Sequence, residues 1–454
     1  MGQVVTVSPL TELRGTARVE VDGDRLGRRV PVHDKSLSSH IHRDCIGEAE
    51  WAAAQRDPAG AWWLAVLGGA VPQPDVPAHV PPRATRVVDL FAGAGGLMVG
   101  VSQLLAEAGR QPVCELAVDI DSDALAVHQR NHRTRRVEAE SVTSLVDYRI
   151  RGLGDAARFV YPPALLDESV ASASAGADLV MAGPPCQGHS NLNNRSRRSD
   201  RRNLLYLAIP AFAAACEARA VLIENVTSVV HDDAQVVRTT CALLRSCGYA
   251  VTEGVLAADA MGWPQSRRRH FLVACHHDAP RASEPLPISA VRDVLAVNPA
   301  RPVMWAIGGG QLLSRDPAMH TVPEFTEVTR ERINWLFDND AHDLSLSERP
   351  ECHQDGTSYG SVYGRIRGDR PAPTITTGFM TPGRGRFVHP TERRTLTPAE
   401  AARLQGFPDD YRFWPAPDRP ATRAQLAKWI GDSVAAPLGY AAAMSALGPV
   451  LVQA

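Results

Sequence analysis

From Arg86 onward, short apolar runs alternate with longer stretches that are rich in Ala and Leu. Five runs stand out: Val87–Leu90, Leu116–Val118, Leu179–Ala182, Val221–Ile223 and Phe271–Ala274. Runs of this length suit buried strands, and strands that alternate with helices pair in parallel under a helical layer on each face. The pattern therefore predicts an α/β fold with a doubly wound, largely parallel sheet.

The rest of the sequence divides the chain into four regions. Residues 1–80 form an N-terminal extension that ends in a Pro-rich linker over residues 72–82. Residues 86–275 carry the alternation and are predicted to be the main domain. Scattered Pro and Gly interrupt the pattern over residues 276–390, which predicts a smaller inserted domain. Residues 391–454 become helical again and are expected to return to the main domain.

Positive charge is local rather than global. The 454 residues carry a formal net charge of -2, which argues against the overall basicity of many nucleic-acid-binding domains. Arginines nevertheless cluster at Arg195–Arg202, Arg267–Arg269 and Arg384–Arg386, whereas lysine occurs only at Lys35 and Lys428. Any contact with a polyanion is therefore expected at one of the arginine clusters.

The cysteines and the apolar stretches exclude other classes. The eight cysteines include no Cys-x-x-Cys pair and no Cys/His metal spacing, so no metal is expected. The N-terminus does not resemble a secretory signal. The apolar stretch Trp62–Val71 is far shorter than the roughly 20 residues of a membrane span. We therefore expect a cytoplasmic protein with no membrane partner.

A glycine-rich turn follows the first predicted strand. Residues Asp89–Leu97 read Asp-Leu-Phe-Ala-Gly-Ala-Gly-Gly-Leu, and a doubly wound sheet binds adenosine-containing ligands at this position. The second strand ends at Asp119, whose carboxylate could accept hydrogen bonds from both hydroxyls of a ribose. A dinucleotide would fit equally well, and a tight turn without a ligand is a further alternative.

A second loop carries a potential nucleophile. Residues 182–190 read Ala-Gly-Pro-Pro-Cys-Gln-Gly-His-Ser directly after a predicted strand. The two prolines fix φ and stiffen the loop that presents Cys186. An isolated cysteine is usually a small buried apolar residue, and we expect this of the other seven. The Pro-Pro-Cys-Gln context favours a catalytic thiol instead.

Two further motifs place charge beside predicted strands. Glu224 and Asn225 end the strand after the cysteine loop, and partial burial could raise the pKa of Glu224 enough to make it a proton donor. Residues Gln265–Arg269 offer guanidinium groups that could hold a phosphate or a polarised carbonyl oxygen. Alone, either motif would more often be a solvated surface.

In this order the motifs resemble those of the cytosine-5 DNA methyltransferase family. The resemblance runs from Arg86 to about Gly439 and extends to Pro373–Thr377, Arg394–Pro408 and Ile430–Val434, which are similar to the family's late motifs. It implies a Rossmann-like methyltransferase fold, an inserted target-recognition domain, and S-adenosyl-L-methionine as the cofactor.

The resemblance also implies a role for each matching position. The predicted catalytic residues are Cys186, Glu224, Asn225, Arg267 and Arg269. The predicted cofactor-binding residues are Phe91, Gly93, Gly95, Gly96, Leu97, Asp119, Ile120, Ser141, Val142, Pro185, Asp432, Ser433 and Val434. The predicted DNA-contacting residues are Gln187, Ser190, Gln265, Arg365, Thr376 and Thr377.

Four departures from the family pattern leave every catalytic group in place. Ser141 stands where the family usually has an aspartate that contacts adenine, His189 replaces the usual aromatic residue, and Asp432 replaces the usual asparagine. The connection between Val142 and Asp178 is longer than the family typically has.

The implied chemistry is covalent. Cys186 is expected to attack carbon 6 of cytosine while Glu224 protonates N3, which makes carbon 5 nucleophilic enough to take a methyl group. The target base must rotate out of the duplex, because its reacting atoms are inaccessible inside it. Arg269 is expected to hold the cytosine carbonyl, Arg267 a phosphate, and Asn225 the active-site loop.

Three other functions were weighed against this one. A transfer-RNA cytosine-5 methyltransferase would share the cysteine chemistry, but its Cys-Phe-Thr signature is missing. A non-catalytic DNA-binding regulatory protein would be expected to lose Cys186 or Glu224. A dehydrogenase would leave the Pro-Pro-Cys-Gln, Glu-Asn-Val and Gln-x-Arg-x-Arg motifs unexplained.

The implied partner is double-stranded DNA, with a cognate restriction endonuclease or defence system encoded nearby as a further one. The chain is expected to act as a monomer at the nucleoid. Sequence recognition is assigned to the inserted domain, without a predicted recognition sequence. For the N-terminal extension, a dimerisation arm, an extra DNA contact and a packing element all stay open.

Overall fold

The computed structural model describes residues 15–75, 83–185, 201–278, 284–297, 299–308, 314, 316–351, 354 and 361–452, and only the backbone of residues 201–203. An N-terminal unit comes first in the chain. Its elements are β1 (Arg18–Asp22), β2 (Arg25–Val32), β3 (Lys35–His42), α1 (Glu48–Ala54), α2 (Pro58–Leu67) and β4 (Gln73–Pro74). The four strands form an antiparallel sheet in chain order.

The main domain follows directly. Its elements are β5 (Arg83–Leu90), α3 (Gly96–Glu107), β6 (Arg110–Val118), α4 (Ser122–His132), β7 (Arg136–Glu138), α5 (Val142–Leu145), β8 (Val146–Asp147), β9 (Ile150–Arg151), β10 (Arg158–Phe159), β11 (Ala164–Leu165), α6 (Glu168–Ser174), β12 (Leu179–Ala182), α7 (Ala208–Ala215), β13 (Ala220–Asn225), α8 (Val236–Ser246), β14 (Tyr249–Ala257) and β15 (Arg268–His276).

The remaining helices lie C-terminal to this sheet-forming region. They are α9 (Ile288–Val294), α10 (Val303–Ile307), α11 (Glu327–Asp338), α12 (Pro398–Gln405), α13 (Arg423–Asp432) and α14 (Ala436–Leu451). Two of these helices begin at a capping box. Thr397 caps α12 together with Glu400, and Thr422 caps α13 together with Gln425.

A seven-stranded sheet forms the centre of the molecule, in the order β14–β15–β13–β12–β5–β6–β7. β13, β12, β5, β6 and β7 pair in parallel, whereas β15 runs antiparallel to both of its neighbours. All five predicted strands lie in this sheet, and the expectation of an α/β, largely parallel fold is confirmed.

Helices cover both faces of the sheet. Alternate strand residues belong to two apolar clusters: Val87 and Leu179 pack with α3, α9 and α14, whereas Val88 and Val180 pack with α7 and α8. Successive side chains of a strand point to opposite faces, so strands buried on both sides read as continuous apolar runs. This arrangement explains the uninterrupted runs in the sequence.

The N-terminal unit packs against the main domain instead of standing apart. Val30 and Val32 of β2 belong to the same cluster as α3 and α14. The buried Arg28 guanidinium is hydrogen-bonded to Glu107 of α3 and donates to the Tyr440 hydroxyl of α14 at 3.1 Å. Three roles were left open for this extension: a dimerisation arm, an extra DNA contact and a packing element. These contacts are those of a packing element.

The region after β15 does not begin as a separate domain. Val291 and Val294 of α9 lie in the main core, so the chain first returns to the sheet. A different cluster then joins α10 to α12 and α13 through Val303, Leu404 and Ile430. The inserted part therefore shares one apolar cluster with the C-terminal helices, whereas α11 packs in a small cluster of its own with Leu344 and Val388.

Within the described residues, one stretch has the length and hydropathy of a membrane span. It is Arg423–Leu451, which includes α13 and α14, and 94% of its most apolar window is buried inside the protein. A core helix of a large domain has this composition because it is surrounded by apolar neighbours.

Candidate active site

Four strands of the central sheet deliver polar groups to one edge. β5 leads into the glycine-rich turn, β6 ends beside Asp119, β12 leads into Gly183–Pro185, and β13 ends with Glu224 and Asn225. Carboxyl ends of parallel strands lie at the same edge, which is where ligands bind in such sheets. Here the edge holds a cavity of about 290 Å³.

Most of the predicted cofactor and catalytic residues meet in this cavity. Its walls include Phe91, Gly93, Gly96, Leu97, Asp119, Ile120, Ser141, Val142, Pro185, Glu224, Arg267, Arg269, Asp432, Ser433 and Val434. Gly95 is the N-cap of α3, and Asn225 lies behind the wall. Larger cavities of about 1000 and 760 Å³ lie elsewhere, and neither contains these motifs.

The glycine-rich turn and Asp119 are fixed to each other. Gly93 has φ +51°, and its backbone N–H donates to Asp119 Oδ2 at 2.9 Å. The other carboxylate oxygen accepts from the backbone N–H of Asp121 at 2.9 Å. A Cβ built on Gly93 meets no atom within 4 Å, so the space beside the turn is open. The carboxylate is thus held in one orientation at the cavity wall.

The end of the cavity beside Asp119 combines an exposed apolar side chain with polar ones. Ile120 is 79% exposed although it lines the cavity, which is costly for a large aliphatic side chain unless a ligand covers it. Glu140 and Ser141 also line the cavity, and the Ser141 hydroxyl is 2.8 Å from that of Thr143. This end therefore offers an apolar surface next to hydrogen-bond acceptors.

The C-terminal helices close the cavity on one side. Trp429 of α13 donates from Nε1 to Asp121 Oδ2 at 3.1 Å, and the Lys428 ammonium lies 3.2 Å from the same oxygen. A Cβ on Gly96 would lie 2.8 Å from Ser433 Cβ, so the glycine-rich turn and the end of α13 are in close contact. Only glycine allows this approach.

Glu224 and Arg269 form an ion pair inside the cavity. Arg269 Nε lies 2.9 Å from Glu224 Oε1, and both side chains are largely buried, with exposures of 15% and 9%. Burial raises the pKa of Glu224, and the guanidinium groups of Arg269 and Arg267 offset that rise only in part. A carboxyl group in this environment holds its proton at a higher pH than an exposed glutamate does.

The loop that leads to the predicted nucleophile is held by Asn225. Its Nδ2 donates to the carbonyl oxygen of Pro184 at 3.4 Å, and its Oδ1 accepts from Val226 N at 2.8 Å. Pro184 and Pro185 line the cavity two and one residues before Cys186. Cys186, Gln187 and Ser190 lie outside the described residues.

Two members of the Gln-x-Arg-x-Arg motif are buried: Gln265, which was predicted to contact DNA, and Arg267, which was predicted to be catalytic and to hold a phosphate. Gln265 is fully buried, donates from Nε2 to Leu404 O at 2.8 Å, and accepts from Ile375 N at 3.2 Å. Arg267 donates to the carbonyl oxygens of Ile375 and Ser433, both at 2.8 Å. These side chains connect the segment just before β15 with α12, with Ile375 and with Ser433 at the end of α13.

The other three described residues that were predicted to contact DNA differ in how exposed they are. Arg365 donates to Pro390 O at 2.9 Å, stacks on Phe337 at 4.2 Å and is 14% exposed, so its guanidinium is occupied within the inserted region. Thr376 is partly buried and Thr377 is exposed. Of these three, Thr377 alone presents an open side chain.

Several cavity-lining residues had not been predicted from the sequence. They are Asp89, Ala92, Ala94, Glu140, Gly183, Pro184, Leu205, Val226, Lys428 and Trp429. Helical spacing could have identified Lys428, since it stands four residues before Asp432 and lies 4.0 Å from it. Leu205 carries no sequence signal, because it reaches the cavity only through the fold.

The donor set fits an adenosine-containing cofactor. The cavity is near the lower end of the volume range for small-ligand sites, about 300–1,000 Å³. It is surrounded by a carboxylate that two backbone N–H groups orient, by the exposed Ile120, by the open glycine turn and by acceptors at Glu140 and Ser141.

Among the described residues, one cluster outside this cavity has metal-ligand spacing: His389 with Glu392 and Glu400. Arg394 pairs with both of these glutamates, at 2.8 and 2.7 Å.

Comparison with known proteins agrees with this geometry. The family model for C-5 cytosine-specific DNA methylase matches residues 85–447. The chain is 35% identical over 366 residues to Type II methyltransferase M1.BsuMI of Bacillus subtilis (strain 168), which covers 80% of this chain and 81% of that protein. It is 29% identical over 374 residues to Type II methylase M.HgiDII of Herpetosiphon aurantiacus, with 79% and 94% covered.

A solved structure shares the fold. The S. pombe Dnmt2 methyltransferase superposes with a TM-score of 0.52 at 18% identity, over 81% of this chain and 99% of that one. At this identity the likeness concerns the fold alone.

Proposed function

The chain belongs to the C-5 cytosine-specific DNA methylase family and is a DNA cytosine-5 methyltransferase, and we propose that it works through a covalent bond between Cys186 and carbon 6 of a cytosine rotated out of the duplex. The reaction needs that bond because carbon 5 of an aromatic cytosine is a poor nucleophile. Adding a thiolate at carbon 6 breaks the aromaticity and leaves electron density on carbon 5.

Glu224 is the proton donor in this proposal. As the Cys186 thiolate adds, negative charge develops on the ring, and a proton delivered to N3 removes it. The burial that raises the pKa of Glu224 supports this role, since the carboxyl group can then carry a proton at a higher pH. The ion pair between Glu224 and Arg269 is the single observation that carries the proposal, because it places an acid and a cation together in the cavity beside Pro185.

Arg269 and Asn225 orient the reacting groups. The Arg269 guanidinium lies at the same cavity wall as Glu224, and we assign it to the carbonyl oxygen at position 2 of the ring. Asn225 is a positioning residue: its hydrogen bond to Pro184 fixes the start of the loop that carries Cys186. Once carbon 5 has gained its methyl group, loss of the carbon-5 proton to a base and cleavage of the carbon–sulfur bond restore the aromatic ring and the free thiol.

S-adenosyl-L-methionine supplies the methyl group as an electrophile on a positively charged sulfur atom. Asp119 would accept from its ribose hydroxyls, and Ile120 would cover one face of its adenine. Glu140 and Ser141 line the same cavity and would supply an acceptor for the adenine amino group in place of the missing aspartate. Phe91 and Val434 would exclude water beside them.

The setting of the reaction is also proposed. Relatives named Type II methyltransferases support a bacterial-type enzyme that acts on double-stranded DNA, which we place at the nucleoid in the cytoplasm. A cognate endonuclease encoded nearby is the corresponding partner. We propose that the enzyme acts as a monomer, because one asymmetric cavity suffices for this chemistry.

A labelling experiment tests this function. The purified protein and its Cys186→Ala variant would be incubated with tritiated S-adenosyl-L-methionine and either unmethylated genomic DNA or bulk transfer RNA. Label in 5-methylcytosine from DNA, lost in the variant, is the expected result. Label in transfer RNA alone would move the substrate to RNA, and label that persists in the variant would contradict the covalent mechanism.

A further inference from the structure

A groove separate from the active-site cavity runs between the N-terminal unit and the main domain. It measures about 760 Å³ and is bounded by the end of α2, by α3, by the end of α4 and by the segment after α12. This volume falls within the range of pockets that hold small ligands. The reaction described above uses none of its side chains.

The groove has an excess of positive charge. Arg130, Arg133 and Arg412 line it, and within the part of the chain that the structure describes none of the three forms an ion pair. Arg135 is neutralised by Glu115 at 3.0 Å, and Asp410 is the acidic side chain in the wall. Three guanidinium groups facing one carboxylate favour an anionic ligand, and phosphate matches the guanidinium fork well.

Two polar atoms lie beneath this wall. Among the described residues, neither Arg130 Nε nor Gln103 Oε1 has a hydrogen-bond partner, and both atoms are shielded from solvent. A buried donor or acceptor that stays unsatisfied costs free energy. Both residues line the groove, and a polar ligand could satisfy these atoms only if their side chains moved toward it.

Apolar side chains form the other part of the groove. Val71 is 62% exposed, and Pro72, Pro408 and Met98 line the same wall. A flat ring could pack against this surface while its phosphate groups reach the arginines. We therefore propose that the groove binds a small phosphate-bearing ligand with a ring, of the nucleotide class.

The groove lies directly behind the cofactor turn. His132 and Tyr411 line it, and the Tyr411 hydroxyl donates to Ala94 O at 2.5 Å. His132 Nε2 lies 3.0 Å from that hydroxyl, and a Cβ on Gly95 would meet the same nitrogen at 2.5 Å. A ligand in the groove would thus contact residues that support the turn from outside, without entering the active-site cavity.

Binding of ATP to the full-length protein tests the proposal, with inorganic tripolyphosphate and adenosine as the phosphate-only and ring-only probes. Isothermal titration is expected to show that ATP binds more tightly than either fragment. The Arg130→Gln/Arg412→Gln variant should bind ATP at least tenfold more weakly. The matched control Arg238→Gln, which replaces an exposed arginine of α8 paired with Asp155, should bind it as the wild type does.

Several results would overturn the inference. They are no binding of ATP or tripolyphosphate at millimolar concentration, unchanged affinity in the double variant, and loss of ATP binding when S-adenosylhomocysteine saturates the active-site cavity. Displacement of ATP by a short DNA duplex would also overturn it, in favour of a DNA-backbone site. If the double variant fails to fold, Arg412→Gln alone gives the same comparison, because the hydrogen bonds of Arg412 to Asn131 use its backbone.

Discussion

At the scale of single residues, the chemistry depends on how the protein sets the charge of Glu224. Removal from water favours the neutral carboxyl group, whereas Arg269 at 2.9 Å favours the carboxylate. Burial is the larger effect, so the pKa is raised above its ordinary value of 4.5. An acid that must donate a proton benefits from this shift, since the carboxyl group keeps its proton to a higher pH than an exposed glutamate does.

The raised pKa gives Glu224 a measurable effect on stability. Between pH 4.5 and the higher native pKa, the folded state keeps a proton that the unfolded state has lost, so the free energy of unfolding falls as the pH rises through this window. Glu224→Gln cannot ionise and should remove this part of the pH dependence. Urea unfolding of both proteins across that window measures it, and parallel curves for the two would contradict the raised pKa.

The same substitution should slow methyl transfer. A glutamine has no proton to give to N3, and loss of a general acid typically costs about 10²–10⁴-fold in rate. Single-turnover transfer from tritiated S-adenosyl-L-methionine to DNA is the measurement. Glu217→Gln is a suitable control, because that glutamate lies outside the active-site cavity. Equal rates for Glu224→Gln and the wild type would exclude the proposed role.

At the scale of elements, a buried polar network joins β15, α12 and α13 around the cavity. Gln405 of α12 donates from Nε2 to Ile430 O at 2.7 Å and to Ser433 O at 3.0 Å, and its Oε1 accepts from Gln265 at 3.1 Å. A Cβ on Gly431 would lie 2.2 Å from Thr377 N. The end of α13 therefore contacts both the cavity wall and the segment that presents Thr377.

Removing this network should loosen the C-terminal wall of the cavity. Gln405→Met preserves the size of the side chain but removes the Gln405 donor from the buried Ile430 carbonyl, whereas Ser433 O keeps its bond from Arg267; a buried group left unsatisfied costs about 1–3 kcal/mol. We expect a lower free energy of unfolding together with weaker S-adenosylhomocysteine binding. The exposed Gln55→Met is the control. Wild-type values for both quantities in Gln405→Met would show that the network supports neither.

Particular elements show what sequence could and could not predict. β12, most of β13 and the end of β5 were predictable because burial on both faces makes these stretches largely apolar. β14 was missed because its alternating, partly exposed residues do not form such a run. The motifs identified the cavity walls, but the buried roles of Gln265 and Arg365 were not predictable, since a polar residue type does not reveal whether it bonds DNA or a backbone carbonyl.

At the scale of the whole molecule, the N-terminal unit is part of the structure that supports the enzyme. Arg28 is 5% exposed, lies 4.9 Å from the rings of both Trp63 and Tyr440, and pairs with the buried Glu107. A second pair, Asp57 with Arg301 at 2.8 Å, joins α2 to the start of the inserted region. One small unit thus contacts both parts of the chain that surround the active-site cavity.

The Arg28 pair should be important for stability. Arg28→Met leaves the Glu107 carboxylate buried without its cation, and breaking a buried pair in this way costs about 3–5 kcal/mol. Arg28→Met combined with Glu107→Gln removes the uncompensated charge and should recover part of the loss. Thermal unfolding of the wild type, the single variant and the double variant tests this, and a single variant that melts with the wild type would contradict the assignment.

The covalent role of Cys186 is the central claim, and methylation in cells tests it most directly. The wild type, Cys186→Ala and the control Cys247→Ala would be expressed in a bacterial host that lacks 5-methylcytosine, and its genomic DNA would be sequenced after bisulfite treatment. Cys247 is partly buried and outside the active-site cavity. We predict 5-methylcytosine within a fixed sequence for the wild type and Cys247→Ala, and none for Cys186→Ala. Methylation by Cys186→Ala would contradict the account.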